Sequence, residues 1–134
     1  MNKALRKFKN QEGYTLIEVL MAMIIFTIGL LGLAPMMVTS MTGNSFANDL
    51  TTANIIASDY IENLKTVGTF SPMPFIETTN NVEGKFTRQT RIDNNSTDGS
   101  VPSGLYRIAV TVNWTDQQGL ARSVSYNTFR TEEL

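Results

Sequence analysis

The feature that most constrains this chain is a stretch without charge. Val19 to Val38 reads VLMAMIIFTIGLLGLAPMMV, twenty residues in which Thr27 has the only hydrogen-bonding side chain. As a helix this run is about 30 Å long, which matches the hydrocarbon thickness of a bilayer. Lys3, Arg6, Lys7 and Lys9 precede it against one acid before the run's edge, Glu12, and no charged side chain follows before Asp49. Basic residues ahead of an apolar span hold that end in the cytoplasm. The expected topology is a single pass, N-in and C-out.

The 134 residues leave room for one small domain beside the span. With no Cys and no His, the chain has no disulfide, no thiolate, no Cys/His zinc site and no histidine general base. A net charge of −1 supplies no basic field for nucleic acid. No spacing pairs the scattered carboxylates and lysines convincingly. The chain is therefore not expected to be an enzyme, and no catalytic residue, metal ligand or cofactor site is assigned.

A cleaved secretory signal has an apolar core of about 7 to 15 residues and a small-x-small cut soon after it. Here the nearest such triplet, Ser45-Phe46-Ala47, lies well beyond the apolar run. An uncleaved anchor explains charge and hydropathy but leaves Gly13 and Glu18 without a role. An ionised carboxylate beside the apolar run costs on the order of 2 to 3 kcal/mol unless it finds a partner.

Gly13-Tyr14-Thr15-Leu16-Ile17-Glu18-Val19-Leu20, behind a short basic leader, resembles the class III signal of type IV pilins and type II secretion pseudopilins. The run Ile28-Gly29-Leu30-Leu31-Gly32-Leu33-Ala34 is similar to that of minor pilins of the PilV kind and of minor pseudopilins. Tyr14 stands where Phe is usual, and Glu12 where a neutral or basic residue is common. The resemblance implies cleavage between Gly13 and Tyr14 by a prepilin peptidase and N-methylation of Tyr14. Residues 1–13 would be the leader. The cut removes all four leader cations and keeps the apolar helix, leaving a mature chain with seven basic and eleven acidic side chains. In a fibre, Glu18 would accept a charge-assisted bond from the Tyr14 ammonium of a neighbouring subunit and so set axial register.

Helical spacing continues past the span. Phe46, Leu50, Ala53, Ala57, Tyr60, Leu64 and Val67 fall on one face, while Asn48, Asp49, Thr52, Glu62, Asn63 and Lys65 largely fall elsewhere. One helix is predicted over 14–67, near 80 Å long if unbroken, with its membrane part at about 16–38. Pro35 lacks an N–H and clashes with the preceding turn, so it is the expected helix break, a bend in the monomer. Gly68 is the expected left-handed C′ residue, and Pro72 and Pro74 prevent continuation.

Residues 68–134 read as a globular head. An extended αβ loop covers Gly68 to Asn81, where a fourth short strand has room. Strands are expected at Val82–Asp93, Leu105–Trp114 and Leu120–Arg130, with Asp116-Gln117-Gln118-Gly119 closing the last hairpin. Tyr106, Ile108, Val110, Val112 and Trp114 should share one face, as should Leu120, Val124 and Tyr126. Tyr106, Trp114, Tyr126 and Phe129 are either exposed contact residues or core packing of a small sheet, and core packing is the expectation. The polar segment Asp93 to Ser100 only loosely resembles a calcium loop and is read as a plain turn. The fold class is α+β, a pilin fold of a long helix on a small antiparallel sheet.

The resemblance implies a filament subunit stored in the inner membrane, whose helix joins a bundle of other pilins and minor pilins. The small head, the lack of the Cys pair of many major pilins and the glycine-leucine run favour a minor pilin. Such a subunit primes or caps a type IV pilus and supports adhesion or twitching motility at the cell surface. The alternatives are a minor pseudopilin of a type II secretion system, ending in a periplasmic pseudopilus, and an uncleaved periplasmic binding module.

Overall fold

The computed structural model describes residues 15–132. It contains one helix, α1 (Leu16–Thr66), and four strands: β1 (Phe75–Val82), β2 (Phe86–Asp93), β3 (Leu105–Thr115) and β4 (Ala121–Thr131). The chain forms two compact units, dividing after Met41.

The first unit is helix alone. Every described residue up to Met41 is exposed. Two hydroxyls on either side of its proline fold back on their own helix: Thr27 Oγ1 donates to the Met23 carbonyl at 2.7 Å, and Thr39 Oγ1 to the Pro35 carbonyl at 3.0 Å. Polar side chains on an apolar helix are thereby satisfied without a partner chain. Pro35 lies inside α1, and helical structure runs through it.

The second unit packs the rest of α1 on an antiparallel meander of order β1-β2-β3-β4. Ala53 and Ala57 are fully buried in the helix–sheet core. Phe86, Ile92, Ile108, Val110, Val112 and Trp114 rise from the sheet to meet them. A buried side chain of this size contributes about 1.5 to 3 kcal/mol. The alternation expected for β3 is present, with Tyr106, Ile108, Val110, Val112 and Trp114 all buried. Three contacts fix the helix direction: Phe46 with Arg122, Asn54 with Tyr126, and Leu64 with Arg130. Eighteen helical residues rise about 27 Å and eight strand residues about 26 Å, so this part of α1 runs along β4.

Three expectations need correction. The predicted Val82–Asp93 strand is two strands, because Glu83 and Gly84 take φ values of 47° and 81° and turn the chain between Val82 and Phe86. The αβ loop does hold a fourth strand, β1, eight residues long, which takes up its second half. Leu120 lies before β4 and is exposed, held in the hairpin by its N–H to Asp116 Oδ1. Tyr126 and Phe129 are exposed at 41% and 53%, Tyr126 at the rim of the helix-facing side and Phe129 on the outer face.

Candidate functional site

The helix start is built by Thr15 and Glu18. The Thr15 carbonyl accepts from the N–H groups of Glu18 at 2.9 Å and Val19 at 3.3 Å, which opens the first turn. Thr15-x-x-Glu18 is also the spacing of a capping box. Glu18 is the acid of the first turn, at the positive end of the helix dipole. Its carboxylate is exposed on the same face as Ala22 and Phe26, one and two turns on. Gly13 and Tyr14 lie outside the described residues.

Around Glu18 the surface is apolar and uncovered. Leu16, Ile17, Ile25, Phe26, Leu31 and Met36 are each more than 65% exposed. The helix is long and apolar enough to cross a membrane. Such a surface requires lipid or other apolar helices around it.

The head end of α1 is held by polar clamps that the sequence reading missed. Arg130 is 8% exposed; its Nη1 donates to the carbonyls of Leu64 at 3.0 Å and of Val67, and its Nη2 to that of Gly68 at 2.8 Å. It therefore caps the helix C-terminus, where a cation is favoured by the dipole. Its guanidinium also faces the rings of Phe70 and Tyr106, with Cζ 4.9 and 5.4 Å from their centroids. This replaces the expected glycine cap: the glycines with positive φ are Gly84, Gly104 and Gly119, not Gly68. The available signal was parity, since Arg130 shares a strand face with Val124 and Tyr126.

Asp49, expected off the packing face, is 4% exposed and binds Lys85 Nζ through Oδ1 at 2.5 Å. Tyr60 donates to Glu77 Oε2, and Arg88 lies 3.4 Å over the tyrosine ring. Burial first, then the Glu77 carboxylate, raises the Tyr60 pKa above its ordinary value.

The Asp93–Ser100 segment is a turn organised by arginines. Arg91 grips both Asp93 oxygens, at 2.8 and 2.9 Å, and Arg107 bridges Asp93 at 3.0 Å and Asp98 at 2.5 Å. Bonds from Arg91 hold the Asp93 pKa below the carboxylate range, against burial. Hydrogen bonds from Ser100, and then from Arg107, bring Asp98 down to about 2. These carboxylates are committed to guanidinium groups. Among the described residues no group of three or more acidic, His or Cys side chains is placed to hold a metal ion.

Residues 8–34 match the prokaryotic N-terminal methylation motif, which covers the basic leader's end, Gly13, Glu18 and most of the apolar run. The chain carries this motif on a pilin-like fold, one long helix packed on a four-stranded antiparallel sheet. Comparison with curated proteins and with solved structures gave no match. The motif makes the pilin-like chain a prepilin peptidase substrate type, and the long apolar helix fits membrane anchoring before assembly. Motif and fold together point to a structural subunit.

Proposed function

We propose that the chain is a minor pilin, an assembly subunit that primes or caps a type IV pilus and supports adhesion or motility. One observation carries this: the methylation motif runs directly into a helix whose apolar side chains, through Met41, are all uncovered. The small head and the absence of cysteine favour the minor subunit over the main fibre. In this reading the peptidase cuts between Gly13 and Tyr14, Tyr14 is N-methylated, and the helix leaves the inner membrane to pack with other pilins. Glu18 pairs with the Tyr14 ammonium of a neighbour, and Pro35 is the place where the helix loosens inside the filament.

The experiment has two readouts. Mass spectrometry of the chain from cells with a working prepilin peptidase should find a mature protein beginning at methylated Tyr14; an intact Met1 there refutes the assignment. A deletion strain should lose twitching. Loss of exoprotein release with twitching intact would instead assign the chain to a type II secretion pseudopilus.

A further inference from the structure

We propose that α1 carries a joint at Thr39–Ser45, a short stretch that opens and recloses so that the head can tilt while the apolar span stays in lipid. The joint lies beyond Pro35. It rests on membrane anchoring of the apolar segment and on none of the filament reading.

Two environments hold α1 in helical form, and this stretch lies between them. Up to Val38 the side chains are apolar, and an unwound backbone in hydrocarbon would leave its N–H and C=O groups without partners. Lipid therefore enforces the helix there. From Phe46 to Leu64 the sheet enforces it, through Arg122, Lys85, Tyr126 and Arg130 and through the buried Ala53, Ala57 and Leu64. Thr39 to Ser45 has neither support. No residue in it is buried, and the division of the chain into two compact units falls inside it, after Met41.

Composition weakens the same stretch. Thr39-Ser40-Met41-Thr42-Gly43-Asn44-Ser45 contains one strong helix former, Met41. Ser and Asn side chains compete for backbone groups, and the Thr39 hydroxyl already bonds back to the Pro35 carbonyl, a contact that bends helices. Poor formers recur further on, at Asn48, Thr51 and Thr52, but there the sheet packs the same turns and overrides propensity. Gly43 is the clearest sign. Its φ is not positive, and a methyl group on it would meet nothing within 4 Å. Neither backbone strain nor close packing requires a glycine here, and glycine costs a helix more than any residue but proline. Helical structure is continuous from Leu16 to Thr66, so the open form is a minority state. Opening it breaks only backbone bonds that water can replace, which makes it far more frequent than opening of the turns on either side.

The chain has no cysteine, so paired spin labels can be placed directly. Met37→Cys and Ile55→Cys, both exposed, bracket the stretch without enclosing Pro35. They lie on one face, five turns and about 27 Å apart along a continuous helix. Asn48→Cys with Glu62→Cys, also exposed, is the control pair within the head helix. Electron–electron distance measurement on the full chain in lipid nanodiscs should give the first pair a distribution roughly twice as broad as the control, with a tail to shorter distances. Replacing Ser40, Gly43, Asn44 and Ser45 together by Ala should narrow it to the control width. Amides of Met41 to Ala47 should be protected from hydrogen exchange about tenfold less than those of Leu50 to Leu64, and Gly43→Ala alone should raise their protection about fivefold. Emission of the buried Trp114 confirms a folded head in each variant. A first pair as narrow as the control overturns the joint, and so does a broad one that the alanines leave unchanged. Because single chains in lipid are measured, such a failure leaves the filament reading standing, and N-terminal processing tests that separately.

Discussion

Replacing Arg130 with Met keeps an aliphatic stem in the same place and removes the guanidinium. Val67 and Gly68 are exposed, so water replaces the bonds their carbonyls lose. Leu64 is 5% exposed, and its carbonyl has no such substitute. One lost bond to a charged donor is about 2 kcal/mol. Loss of the cation from the helix C-terminus adds about 1 kcal/mol, and loss of the ring contacts to Phe70 and Tyr106 about 0.5 to 1 kcal/mol. The sum is near 3 kcal/mol, after allowing for the desolvation that Met avoids. For a head of this size each kcal/mol moves Tm by about 4 to 8 °C, so the expected fall is roughly 12 to 24 °C. Trp114 is the single tryptophan and is 4% exposed, so its fluorescence reports melting of the head in the full chain held in detergent micelles. Arg130→Lys should recover about half the loss, because charge returns without the planar fork. Phe129→Ala, one residue away and exposed, should change little. An Arg130→Met protein melting within a degree or two of wild type would refute the capping argument.

The Asp49–Lys85 pair should behave asymmetrically. Lys85→Met leaves a buried carboxylate without its cation and is expected to cost about 3 kcal/mol, whereas Asp49→Asn frees a lysine that reaches water and should cost nearer 1 kcal/mol. Denaturant titration followed at Trp114 checks the order. In acid, the depressed Asp93, Asp98 and Asp116 contribute stability that is present above their ordinary pKa near 4 and is lost as pH falls through the folded values, down to about 2 for Asp98. Stability should therefore drop between about pH 4 and 2, and Asp98→Asn should flatten that drop by lowering stability above pH 4 while leaving its acid end nearly unchanged.

The helix and the core of β3 were legible because their signals are local. Leu50, Ala53, Ala57, Tyr60 and Leu64 recur at helical spacing and pack in the core, while Phe46 and Val67 at the two ends of that row are exposed, and the β3 alternation runs through five large side chains. β1 was harder to read because Thr78, Thr79, Asn80 and Asn81 blur its apolar alternation, and Pro72 and Pro74 stand just before it. Arg130 was invisible as a helix cap because it reaches back more than sixty residues to the helix end. Asp49 was misplaced for a similar reason: only a partner thirty-six residues away makes burying it tolerable. The methylation motif needs no fold to be read. It is a linear signal, and it was found where tertiary arrangement could not be.

The two units of α1 differ in how much of their surface is already spent on contacts. From Phe46 to Leu64 the helix is tied down by Arg122, Lys85, Tyr126, Arg88 and Arg130 in turn. Up to Met41, seventeen large apolar side chains are exposed. At about 1.5 to 3 kcal/mol each, water is no alternative for them, and the choice is between lipid and other helices. Those two environments are equally apolar, so hydrophobicity barely distinguishes them, and packing and polar pairing decide. Glu18 is the one charge on this segment. Glu18→Gln preserves the capping-box geometry and the helix start while removing the charge. On the proposed reading the variant should reach the membrane and be processed at wild-type levels, yet enter filaments at least tenfold less efficiently. Quantifying the chain in sheared filament fractions against whole cells measures this. Wild-type incorporation would show that the carboxylate serves its own helix and selects no neighbour.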